Sequence, residues 1–94
     1  MSNKTVLERL LVEIDEYDKS RRNRDAFAQR VYESIEALEG IPYSVHQQVR
    51  DWQHKIETEG YFEEEGFESK LEEVILKLKA WVNELILTTS FFGA

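Results

Sequence analysis

The chain has no cysteine, one proline and only four glycines among its 94 residues. Without thiols there is no disulfide and no thiolate chemistry. None of the glycines stands in a phosphate-cradling loop, and none of the serines sits in a glycine elbow with a base at telling spacing. No run reaches the roughly 18 apolar residues of a membrane span, because Lys77, Lys79 and Glu84 interrupt the best candidate. The opening Met-Ser-Asn-Lys-Thr lacks the basic-then-apolar order of a secretory signal. Hydrophobic residues at 41% argue against intrinsic disorder. These absences lead to the expectation of a single cytoplasmic domain over residues 1–94, without cofactor and without membrane association.

What is present is helical periodicity. Leu71, Val74, Ile75, Leu78, Trp81, Val82, Leu85 and Ile86 recur at spacings of three and four. At about 100° per residue they cover an arc of roughly 140°, one broad face of an amphipathic helix. Val6, Leu7, Leu10, Leu11, Ile14 and Tyr17 form a second stripe, and Phe27, Ala28, Val31, Tyr32, Ile35 and Leu38 a third. Val45, Val49, Trp52 and Ile56 form a narrower fourth. Thr5-x-x-Glu8, Ser44-x-x-Gln47 and Ser69-x-x-Glu72 read as capping boxes, and Asn23 as a further cap. Gly40 and Gly60 read as helix stops, with Pro42 preventing continuation. The predicted architecture is all-α: an antiparallel four-helix bundle with helices at about 5–19, 24–39, 44–59 and 69–88.

Chemistry-bearing patterns are few. Asp51, His54 and Glu57 share a helix spacing, but His54 lies roughly opposite the apolar stripe and faces water; His46 flanks the apolar edge. Glu33-x-x-Glu36-x-x-Glu39 has the spacing of helical nucleotide pyrophosphatases, yet no second carboxylate pair answers it. Arg21, Arg22 and Arg24 cluster among Asp15, Glu16, Asp18 and Asp25. They read as a solvated loop or as internal partners of the acids further along, and nucleic-acid binding is not expected. No metal site and no enzyme activity are expected.

The net charge of −7 is concentrated in one place. Residues 57–73 hold eight acids and one base, Lys70, whereas the remainder holds eleven of each. Tyr61, Phe62 and Phe67 lie among Glu57, Glu59, Glu63, Glu64, Glu65 and Glu68. Aromatics supply binding area, and carboxylates steer a basic partner while repelling anionic surfaces. These nine residues are the candidate partner-binding set.

In length, helix pattern and acidity over residues 5–87, the chain resembles the colicin-D-type immunity proteins, small acidic helical proteins that neutralise tRNA-cleaving toxins. The resemblance carries no diagnostic motif. It implies that Glu57, Glu59, Glu63, Glu64, Glu65 and Glu68 would occupy a basic cleft of the toxin. The expected function is therefore a small acidic protein-binding module, an immunity or inhibitor protein for a basic nuclease. One alternative is a self-associating helical bundle, possible as a homodimer, in which the wide face of the fourth helix and Phe91-Phe92 pair between chains. A remote alternative is the metal-dependent nucleotide pyrophosphatase.

Overall fold

A computed structural model describes residues 2–91, with side chains through residue 88. It contains four helices: α1 (Asn3–Ser20), α2 (Arg24–Glu36), α3 (Tyr43–Glu64) and α4 (Leu71–Phe91). No strand occurs among the described residues. Each helix packs on two others, α1 against α2 and α4, and α3 against α2 and α4, while the backbones of the diagonal pairs stay apart. This is the antiparallel four-helix bundle that the periodicity predicts. Among the described residues no helix is long and apolar enough to cross a membrane.

The core follows the four stripes. Leu7, Leu10 and Ile14 of α1, Val31 and Ile35 of α2, Val49 and Ile56 of α3, and Leu78 and Val82 of α4 are all fully buried. Trp52 is only half-buried and sits against Trp81, with ring centroids 6.0 Å apart. The indole N–H of Trp81 donates to Oε1 of Gln48 at 3.1 Å, which ties α4 to α3. Most of the wide α4 face is consumed inside this chain: Leu71, Val74, Ile75, Leu78, Val82 and Leu85 are buried. It is therefore not the face that could pair with a second copy. The rings of Phe91 and Phe92 lie outside the described residues.

The helix ends differ from the sequence reading, each for a local reason. α1 starts two residues early because Ser2, not Thr5, is the cap; its Oγ accepts from the Thr5 N–H at 3.2 Å. α2 stops at Glu36 rather than 39 because Asn3 takes both backbone groups of Glu39. The Asn3 amide donates to the Glu39 carbonyl (2.8 Å), and its Oδ1 accepts from the Glu39 N–H (3.0 Å). Gly40 then turns the chain at φ +68°. α3 opens on Pro42 with no side-chain cap, so the Ser44 box does not form. Proline's fixed φ, here −62°, already suits helix entry. Asn23 stands at the start of α2, but in the left-handed region and without a side-chain hydrogen bond.

Asn3 is the one buried polar side chain among the described residues, 5% exposed with its amide oxygen and nitrogen both bonded. Asn3→Ala leaves the Glu39 N–H and carbonyl without these partners at the base of the bundle. The expected cost is about 1–3 kcal/mol, read as a lower urea midpoint. An unchanged midpoint would mean that water replaces the amide at no cost.

Candidate functional site

The acidic-aromatic segment is mostly helix, not loop. α3 runs through Gly60 and ends at Glu64, so Glu57, Glu59, Tyr61, Phe62, Glu63 and Glu64 lie on its last two turns. Glu65, Phe67 and Glu68 follow in the connection to α4. Gly60 is thus a packing residue rather than a stop. A Cβ there would lie 2.7 Å from Cδ and 2.8 Å from Cγ of Arg24, and 3.3 Å from the Tyr17 hydroxyl. The missing side chain lets the aliphatic stem of Arg24 cross α3 directly.

That crossing brings the arginine cluster to the acids. A short turn joins α1 to α2, with Arg21 and Asn23 both in the left-handed region (φ 54° and 58°). From it, Arg21 Nη1 donates to Glu63 at 2.5 Å and Arg24 Nη1 donates to Glu64 at 2.7 Å. Arg21 also holds Asp18, and Arg24 holds Asp25. The Arg24 guanidinium lies 5.6 Å from the centre of the Tyr61 ring. Carboxylates in the last turn of a helix face the negative end of its dipole, and the two arginines offset that. Internal pairing therefore describes Arg21 and Arg24, while Arg22 stays exposed. Beneath this cluster Tyr17 stacks on Phe27, centroids 4.1 Å apart. Burial pushes the Tyr17 phenol up from its ordinary pKa, with Glu63 and Glu64 adding to the rise and Arg21 and Arg24 opposing it.

The remaining candidate residues divide. Glu59 turns away toward α4, where its Oε1 accepts from the Lys70 N–H at 2.7 Å and its carbonyl accepts from the Ser69 hydroxyl at 2.7 Å. Ser69 Oγ in turn accepts from the Leu71 N–H at 3.1 Å. The start of α4 is capped from α3 as well as by its own serine, and it lies at Leu71 rather than 69. Glu57, Tyr61 and Glu64 share one face of α3 by helical period. Phe62 is half-buried and meets Phe67 edge-on at 6.3 Å and Tyr61 at 6.2 Å. Tyr61 is 46% and Phe67 62% exposed. Glu65 and Glu68 are exposed beside them. The structure thus gathers three aromatic rings with Glu63, Glu64 and two arginines, and sets Glu59 apart. Sequence reasoning left Arg21 and Arg24 out of the site; their signal was a basic cluster opposite in sign to the acidic run.

The other candidates stay dispersed. Asp51, His54 and Glu33 are exposed, and Glu36 Oε2 lies 2.6 Å from His46 Nδ1. Among the described residues no group of three or more histidine, aspartate or glutamate side chains is placed to hold a metal ion. A groove of about 280 Å³ between α3 and α4 is lined by Trp52, Lys55, Val74 and Lys70, with Glu59 and Glu73 among its walls. Both carboxylates are already engaged, Glu59 with Lys70 and Glu73 with Lys77. No family model matches the chain, and no curated protein and no solved structure is found to be similar to it.

Proposed function

We propose that this chain is a non-catalytic, cytoplasmic binding protein that takes a basic protein partner at the end of α3, in the manner of an immunity protein neutralising a basic nuclease. The observation that carries the reading is the exposure of Tyr61 and Phe67 beside Glu57, Glu65 and Glu68. Large rings left in water beside carboxylates of one sign suit a basic surface with an apolar centre. Since Glu63 and Glu64 hold Arg21 and Arg24, electrostatic steering falls to Glu57, Glu65 and Glu68.

The test uses a basic nuclease captured on the immobilised chain. Glu65→Gln with Glu68→Gln is expected to slow association and flatten its salt dependence, because rim charges act on encounter. Tyr61→Ala or Phe67→Ala is expected to speed dissociation at least tenfold, about 1.4 kcal/mol. Glu63→Gln with Glu64→Gln should also lower stability, by up to about 1 kcal/mol per exposed pair. Association that ignores both salt and the Glu65/Glu68 changes would end this reading, as would capture without inhibition of the nuclease.

A further inference from the structure

α4 has a second face that its own bundle leaves uncovered. Leu76 and Leu87 are 67% and 65% exposed, against the fully buried Leu78 and Val82 of the same helix. Between them, Ala80 and Asn83 are also exposed. The spacing of 76, 80, 83 and 87 is four, three, four, the alternation of core positions in a two-stranded coiled coil. We propose that two copies of this chain pair antiparallel through this seam.

The charges beside the seam fit that pairing. Lys77 follows Leu76 and Glu84 follows Asn83, so both lie on the same flank and both are exposed. A two-fold axis placed between residues 81 and 82 sets Leu76 against the partner's Leu87 and Ala80 against the partner's Asn83. The same axis places Lys77 and the partner's Glu84 on one flank, offset by two residues or about 3 Å along the helix and within reach of the two side chains; by symmetry Glu84 meets the partner's Lys77. The match is thus made twice by one surface, as an isologous interface requires. Lys77 meanwhile holds Glu73 of its own helix at 2.7 Å, an exposed pair that can be exchanged or shared at little cost. A parallel arrangement would instead need Lys79 for Glu84, but Lys79 lies lower against the bundle, 30% exposed against 66% for Lys77, and pairs across helices with Asp15 of α1. The small alanine at the centre lets the two helices approach closely. A single helix pair is at the small end of specific interfaces, so the dimer is weak. The seam is formed by residues other than those of the partner-binding end, and the two proposals stand or fall separately.

Sedimentation equilibrium of the full chain at low salt, from about 10 μM to about 1 mM, tests this. A monomer–dimer equilibrium is expected within that range. Leu76→Glu should weaken it at least tenfold. Lys77→Glu alone and Glu84→Lys alone should each weaken it at least tenfold, because each sets like charges face to face twice. An equimolar mixture of these two charge variants should dimerise again, because every flanking pair is then opposite in sign. Circular dichroism confirms that each variant remains folded. A chain that stays monomeric at about 1 mM, a dimer indifferent to the single charge changes, or a mixture no tighter than its components would each overturn the proposal.

Discussion

Leu78→Ala is expected to cost about 2–5 kcal/mol, whereas Leu76→Ala, two residues away on the same helix, should stay within about 0.5 kcal/mol at micromolar concentration. Leu78 is fully buried, and truncating it removes apolar area and leaves a cavity that close-packed neighbours fill only in part. Leu76 is 67% exposed and has little packing to lose. A domain of this size holds only about 5–14 kcal/mol of net stability, so the Leu78 change removes a large share of it. Urea unfolding followed by circular dichroism reads the difference as a large fall in midpoint for one variant and none for the other. Equal effects at the two positions would mean that α4 is rotated from the placement described here.

Gly60→Leu is expected to cost at least about 1–3 kcal/mol, since its Cβ alone would lie 2.7 Å from the Arg24 stem. The sharper measurement is Gly60→Ala in two backgrounds. In an exposed helix interior this change gains up to about 1 kcal/mol from propensity. In the native chain the new methyl must displace Arg24, with loss of its bond to Glu64 and its place over Tyr61. With Arg24→Ala already present, the obstruction is gone apart from the Tyr17 hydroxyl at 3.3 Å. Gly60→Ala should therefore be clearly more favourable in the Arg24→Ala background than in the native one. Identical effects in both backgrounds would show that Arg24 does not pack against position 60.

The bundle was legible because each helix must bury a stripe, and three-and-four spacing is visible without neighbours. Leu7, Leu10 and Ile14 could be placed inside from spacing alone, as could Leu71, Val74, Ile75, Leu78, Val82 and Leu85. The ends were less legible because they depend on residues remote in the chain. Nothing near Glu39 announces that Asn3 will take its N–H and carbonyl, 36 positions away. Gly60 misled for a related reason. A glycine after an apolar stripe ordinarily marks a stop, and only the crossing of Arg24 makes it a packing site. Composition was enough to gather Tyr61, Phe62, Phe67 and the nearby acids into one region. It could not show which carboxylates were spoken for, since that depends on the three-residue turn that swings Arg21 and Arg24 toward α3.

The cyclic order of the bundle also has a kinetic meaning. α2 and α3 are joined by six residues, so their pairing closes a short loop at small entropic cost. The contact between α1 and α4 joins the two helices farthest apart along the chain, with 50 residues between Ser20 and Leu71. Of the three helix pairs adjacent in sequence, α2 and α3 pack most extensively, so this hairpin is the expected nucleus, with the α1–α4 seam expected to close after the rate-limiting step. In a chevron plot, truncating Ala28 or Val49 would chiefly slow refolding, whereas truncating Leu10 or Val82 would chiefly speed unfolding. How long the native chain persists is then governed at the seam between its first and last helices.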